Sequence, residues 1–250
     1  MPQPTEKPLA GGNMTEVSRL GDDVLREAGP WTPTVQRLLA HLRDRGITWC
    51  PEPRGWTPDG REALSYLKGK VPSYPLPDWV YDDKVLKRAA RWLRELHDAT
   101  QGYTDPDARW RRPPRKPVEV ICHNDFAASN MVFRDHDLVG VIDWDLAGPG
   151  PRLWDLAFFA YRMVPLMGPE NPDAPNVTIN LARRLQLLLD AYGSDTSAVE
   201  LLRVVIERLD DLASFTHGHG VARHDDALLR EARGYASDAT FLRSMLGGSS

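Results

Sequence analysis

The chain has 250 residues, of which 42% are apolar and 26% charged, and a formal net charge of −4. That length buries a sizeable core in one domain or in two lobes, and the composition excludes a disordered or fibrous chain. The acidic balance argues against broad nucleic-acid binding, no run reaches the roughly 20 apolar residues of a membrane span, and residues 1–7 lack an apolar signal core, so a cytoplasmic protein is expected.

In chain order, Gly11 and Gly12 form a glycine pair between two potential strands. Residues 16–20 and 24–27 flank the tight-turn sequence Gly21-Asp22-Asp23 and predict an antiparallel hairpin. Thr32-Pro33 announces a helix with Thr32 as N-cap. Val35, Leu38, Leu39 and Leu42 then line one face, and Gly46 is its left-handed end. Strands near 52–56 and 61–67 are joined by Thr57-Pro58-Asp59-Gly60. The proline-rich stretch 72–77 marks a boundary between a small β-rich lobe, 1–70, and a larger helical one, 71–250. The second lobe opens with a helix near 82–99, whose stripe is Val85, Leu86, Ala89, Leu93 and Leu96. A loop rich in Pro and Arg, 104–117, leads to a strand at 118–122. Beyond 157 the pattern is helical, with helices at about 181–193, 199–212 and 226–246. Cys50 and Cys122 lie in apolar surroundings without metal spacing, which points to a reducing compartment and to no structural disulfide.

The chemistry concentrates in the run His123-Asn124-Asp125-Phe126-Ala127-Ala128-Ser129-Asn130, followed by Asp143-Trp144-Asp145. Between them, 131–133 and 138–142 are apolar and partly β-branched, with polar turn residues at 135–137, so the segment reads as a β-hairpin. Folding it between His136 and Asp137 sets Asn130 opposite Asp143. An amide oxygen and a carboxylate then converge as hard oxygen ligands suited to Mg²⁺ holding a phosphate. Asp125 is left to act as a base toward an acceptor hydroxyl. Asp145, two residues from Asp143, shares its side in extended chain and either joins the metal shell or bonds within its own loop.

His-x-Asp-x-x-x-x-Asn, a hairpin and then Asp resembles the catalytic and metal loops of the protein-kinase-like phosphotransferases. The resemblance is nearest to the aminoglycoside phosphotransferase family with its choline-kinase relatives. Val139-Gly140-Val141-Ile142-Asp143-Trp144, Trp154-Asp155-Leu156-Ala157 and Leu93-Arg94-Glu95-Leu96-His97-Asp98-Ala99 match that branch. The resemblance implies an α+β, bilobal, protein-kinase-like fold: a small antiparallel sheet with one helix over a larger, mainly helical lobe. It implies a Mg²⁺-dependent transfer from ATP or GTP to a hydroxyl of a small molecule. Asp125 is then catalytic, Asn130, Asp143 and Asp145 hold metal, and His123 and Asp155 support the site. The family's phosphate-binding basic residue falls on Arg26, an arginine in place of lysine. Gly11 and Gly12 approach the phosphates, and Ser65, Tyr66 and Leu67 form the edge that meets the base. The helix acid that orients the family's lysine is missing, because 33–43 hold no Asp or Glu; Gln36 or His41 is the substitute, or the pair is absent.

Arg109, Arg111, Arg112, Arg115 and Lys116 beside Trp110 read as a solvated connecting loop, with an anion- or RNA-attracting patch as the alternative. Glu207, Asp210 and Asp211 are candidate walls for a cationic acceptor. A small-molecule kinase is the leading reading. A catalytically weak nucleotide-binding regulatory protein on the same fold and a metal-dependent phosphohydrolase are the alternatives.

Overall fold

The structure, a computed structural model, describes residues 5–9 and 17–247. Gly11 and Gly12 lie outside the described residues. The architecture is α+β, and the chain divides into two compact units. The first comprises Met1–Val71, Glu95–Asp125 and Asn130–Gly150; the second comprises Pro72–Arg94, Phe126–Ser129 and Pro151–Ser250.

The first unit is built on a five-stranded sheet. Its strands are β1 (Lys7–Pro8), β2 (Val17–Leu20), β3 (Asp23–Arg26), β4 (Pro53–Trp56) and β5 (Glu62–Ser65), in the order β1-β2-β3-β5-β4 and antiparallel throughout. The turn between β2 and β3 works because Gly21 takes φ +64°, which side chains resist. Helix α1 (Thr32–Asp44) follows β3 and buries Val35, Leu38, Leu39 and Leu42 completely, as the spacing predicts. Thr32 is not the cap. Trp31 holds the cap position, Thr32 is the first helical residue, and its Oγ1 accepts the Gly29 N–H at 2.9 Å. Gly46 takes φ +83° just past the helix, as expected of its left-handed end.

Two short ribbons complete this unit. β7 (Met131–Arg134) and β8 (Asp137–Val141) form the expected hairpin. It is tied to the chain around it by paired bonds between Lys70 and Phe133, 2.8 Å in each direction, and by the Val141 N–H to Trp49 O at 2.9 Å. Glycine at 69 allows this approach, since a Cβ there would lie 2.6 Å from the Phe133 carbonyl oxygen. β6 (Val120–Cys122) pairs with β9 (Gly148–Gly150), a Gly-Pro-Gly strand that no propensity argument would have found.

The second unit is helical: α3 (Arg152–Met163), α4 (Leu181–Tyr192), α5 (Ala198–Arg223) and α6 (Asp226–Gly247). Helix α2 (Asp83–Ala99) starts in this unit and ends in the first. Asn180 and Ser197 cap α4 and α5 by accepting N–H groups of Arg183 and Glu200, and Gly193 closes α4 at φ +74°. α5 continues well past the apolar stripe that ends at Leu212, because its later turns pack against α6; His224, at φ +53°, closes it. Buried Asp238 on α6 accepts from Tyr161 Oη and Gly168 N, both at 2.7 Å, and from Asn171 Nδ2 at 2.6 Å, which pins the loop after α3. No described helix is long and apolar enough to cross a membrane.

Candidate active site

The hairpin brings the catalytic run and the second acidic run together, with one change of register. The turn lies one position earlier than a fold between His136 and Asp137: Arg134 pairs with Asp137 about Asp135-His136, and a bulge opposite Val132 and Phe133, where Val139 is the extra residue, then sets Met131 opposite Val141. Asn130 therefore faces Ile142, whose N–H donates to the Asn130 carbonyl at 2.8 Å, and not Asp143 as a fold between His136 and Asp137 would have it. Asp143 is the next residue and takes φ +59°, a backbone state few non-glycine residues adopt. That turn also ends the extended geometry in which Asp143 and Asp145 would have shared a side.

Asn130 is buried, and its Nδ2 donates to both the Asp125 carboxylate Oδ2 and the Asp125 carbonyl, each at 2.8 Å. Two oxygen partners fix which end of the amide is nitrogen. The amide oxygen is thereby the end that could serve a cation. Asp143 has an open face to solvent yet is densely surrounded by protein, as befits the wall of a concavity. That crowding, then the negative charges of Asp145 and Asp125, holds its carboxyl above its ordinary value, against the pull of Arg26 and His123. Three carboxylates that repel one another, with an amide oxygen beside them, are a donor set that a divalent hard cation would relieve, and the residues fit magnesium.

His123 is fully buried and holds this loop pair in place. Its Nε2 meets the Ile142 carbonyl at 3.2 Å, its Nδ1 accepts the Asp125 N–H at 3.3 Å, and its ring lies 4.7 Å from that of Trp144. Asn124, at φ +64°, donates from Nδ2 to Leu146 O at 2.9 Å and ties the same two loops. Asp155 is fully buried in the first turn of α3.

Arg26 sits at the end of β3 directly across from Glu62 on β5. Its Nε donates to Glu62 at 2.5 Å and its Nη2 to Asp145 at 2.6 Å. Burial works against the Arg26 charge, but Glu62 and Asp145 outweigh it and hold the guanidinium above its ordinary value. Glu62 has no exposed surface and also accepts from the amide Nε2 of Gln36 on α1 at 2.8 Å. The acid missing from the helix is thus supplied by the neighbouring strand. Gln36 supports that acid without replacing it, and His41 instead contacts the Ala99 carbonyl at 2.9 Å. Sequence reasoning missed Glu62 although a signal existed: a carboxylate beside Ala63 and Leu64 in a strand that pairs with Arg26 needs a buried partner.

Asp145 is tied to Arg26 and, at 3.7 Å, to Arg111. The loop at 104–117 is therefore not a freely solvated connection. Ser65 and Tyr66 stand at the other end of β5, with their N–H groups committed to Glu52 O at 2.9 Å and Asp22 O at 2.8 Å. A base at this edge would meet carbonyls or Leu67, whose side chain packs on Gly140. Glu62 and Ser65 are three residues apart, so the Arg26 end and this edge are separated by about 10 Å of strand, the span between a nucleotide's base and its phosphates.

With this geometry in hand, the relatives are informative. The chain is 35% identical over 195 residues to the trifolitoxin immunity protein of Rhizobium leguminosarum bv. trifolii, covering 74% of this chain and 73% of that protein. Residues 106–202 match the phosphotransferase enzyme family. The chain belongs to that family. It is therefore a phosphotransferase enzyme. Its fold is that of the Plasmodium vivax ethanolamine kinase (TM-score 0.69, 12% identity, covering 96% of this chain and 84% of that one). It is also that of the amicoumacin kinase hAmiN in complex with AMP-PNP and Ca²⁺ (TM-score 0.68, 12% identity, 94% and 88%).

Proposed function

We propose that this phosphotransferase moves the γ-phosphoryl group of ATP or GTP to a hydroxyl of a small molecule, with Mg²⁺ held by Asn130 and Asp143. The observation that carries the reading is the pair of hydrogen bonds from the Asn130 amide nitrogen to the Asp125 carboxylate and carbonyl, which fixes the two side chains together where the Asp125 charge bears on Asp143. Phosphoryl transfer needs positioning and charge compensation more than covalent chemistry. When bound, the magnesium ion supplies neutralisation of charge on the phosphate oxygens. Asp125 accepts the acceptor's hydroxyl proton or orients that hydroxyl for in-line attack. Arg26, held rigid by Glu62, presents its remaining donors to the phosphates. The β5 edge at Ser65, Tyr66 and Leu67 receives the base, and His123 and Asp155 stabilise the loops. Asp145 shares Arg26 and Arg111, so its role in a metal shell is an indirect one, through the cations it positions.

The relative named for immunity to trifolitoxin supports a growth-inhibitory natural product as the acceptor class, inactivated by phosphorylation in the cytoplasm. Acidic walls for a cationic acceptor are less favoured at Asp210, which is already held by Arg243. The test is incubation with Mg²⁺ and ATP or GTP against a panel of hydroxyl-bearing antibiotics and amino alcohols, with Asp125→Ala as control. Phosphate on an acceptor, lost in the variant while nucleotide binding persists, supports the kinase. Tight nucleotide binding with no transfer to any acceptor returns the chain to the regulatory reading. The missing helix acid that motivated that alternative has lost weight now that Glu62 stands in its place.

A further inference from the structure

We propose that Arg111 is a second phosphate-binding residue, which receives the terminal phosphates of the nucleotide alongside Arg26. The role rests on the phosphotransferase reading above and adds a residue that the His-x-Asp pattern does not contain.

The loop that carries Arg111 is anchored on both sides of it. Upstream, Arg37 on α1 donates from Nε to Asp105 at 2.9 Å, and the Arg109 N–H donates to Thr34 Oγ1 at 2.8 Å. Downstream, the Arg115 N–H donates to the Pro149 carbonyl at 2.9 Å. Between these anchors the Arg111 guanidinium lies over the face of Trp31, 4.4 Å from the ring centroid. Trp31 itself is fitted closely against Gly29, where a Cβ would come within 2.5 Å of the indole. The stretch between Arg26 and α1 thus serves as a platform that aims a second guanidinium at the acidic loop.

Asp145 shows where that guanidinium is aimed. One carboxylate oxygen takes Arg26 at 2.6 Å; the other faces Arg111 Nη1 at 3.7 Å. Two cations set against the two oxygens of one small anion form a cradle that also matches a phosphate group. The Arg111 contact is longer than a hydrogen bond, and its side chain is 27% exposed, so it has donors to offer and room to turn. The charge balance needs it. Glu62, Asp125, Asp143 and Asp145 outnumber Arg26, and a polyphosphate approaching four acids and one cation is repelled even when it carries a magnesium ion. Because the Asp145 carboxylate that Arg111 faces lies near enough to Asp143 for their charges to repel, Arg111 stands at the acidic end of the site, where the terminal phosphates would lie.

The experiment measures Mg²⁺-dependent binding of ATP, ADP and AMP to the unaltered chain and to Arg111→Met and Arg111→Lys, with thermal melting of each. The proposal expects Arg111→Met to weaken ATP roughly tenfold to a hundredfold, ADP less, and AMP within about twofold, with Arg111→Lys intermediate. Equal losses for all three nucleotides, or none, in a variant that melts cooperatively overturn the role and leave the kinase reading standing. If Arg111→Met does not fold, the same comparison is read from Arg111→Lys, for which an ATP-to-ADP affinity ratio equal to that of the unaltered chain is the contrary result. If the unaltered chain binds no adenine nucleotide, the same series is run with GTP, GDP and GMP, and no binding of either triphosphate overturns both readings.

Discussion

Glu62 and Arg26 allow stability and function to be separated. Replacing Arg26 with Met leaves the Glu62 carboxylate with no exposed surface and the Gln36 amide as its remaining side-chain donor. Removing one member of a buried ion pair costs about 3–5 kcal/mol, because the surviving charge stays desolvated. Replacing both members with apolar groups of similar size is often close to neutral. Arg26→Met is therefore expected to lose about 3–5 kcal/mol, and Arg26→Met with Glu62→Leu to recover all but about 1–2 kcal/mol of stability. Part of the residue comes from Asp145, which loses Arg26 in both variants but has Arg111 nearby. Both variants are expected to lose nucleotide binding, since neither offers a guanidinium on β3. Urea titrations of the unaltered chain, Arg26→Met, Glu62→Leu and the double variant, followed by tryptophan fluorescence, give the coupling energy, and nucleotide titrations give the functional loss. A cost below about 1 kcal/mol for the single variant, or costs that simply add, would refute the argument that Glu62 is a buried charge dependent on Arg26.

Asp125→Asn is expected to lower transfer by roughly 10²–10⁴-fold with nucleotide affinity little changed, because it removes a proton acceptor and keeps the Asn130 contact; steady-state kinetics check both terms. Asp143→Asn relieves the repulsion that Asp145 and Asp125 exert, so the metal-free protein is expected to melt at or above the temperature of the unaltered chain while its magnesium-dependent nucleotide binding falls; melting curves with and without Mg²⁺ plus nucleotide test this. Burial pushes the Cys50 thiol up to about 12 from an ordinary 9.0. The unfolded thiol thus ionises first, and this group's contribution to stability falls as pH rises through that interval, by up to about 1.4 kcal/mol per pH unit. Disulfide reagents at neutral pH are accordingly expected to modify Cys50 only on unfolding, and a fast native reaction would contradict its burial.

What was legible in the sequence was local. Asp125, Asn130 and Asp143 declare themselves because one run, one hairpin and one following acid put them in a fixed order, and the hairpin's two apolar runs about a polar turn can be read directly. The position of the turn and the bulge were not legible, since Asp135, His136 and Asp137 all suit a turn and nothing marks Val139 as an extra residue; together they set Asn130 opposite Ile142 in place of Asp143. The contacts that sequence reasoning missed depend on distant pairing. Arg26 and Glu62 meet through the register of strands that flank a helix and a second strand, 36 positions apart. Arg111 reaches Asp145 only because Thr34 and Pro149 hold its loop, so a run of arginines among prolines looked like solvated chain. Gly148–Gly150 pairs with Val120–Cys122 against every propensity of its residues, carried by the chain on either side.

The most direct measurement is a crystal structure of the protein with Mg²⁺ and a non-hydrolysable ATP analogue. The expected result is a metal ion about 2.0–2.1 Å from the Asn130 amide oxygen and an Asp143 carboxylate oxygen, bridging to the phosphates, with Asp125 facing open space beside the terminal phosphate. A magnesium ion held elsewhere, or phosphates bound with Asn130 and Asp143 turned away from them, would contradict the account.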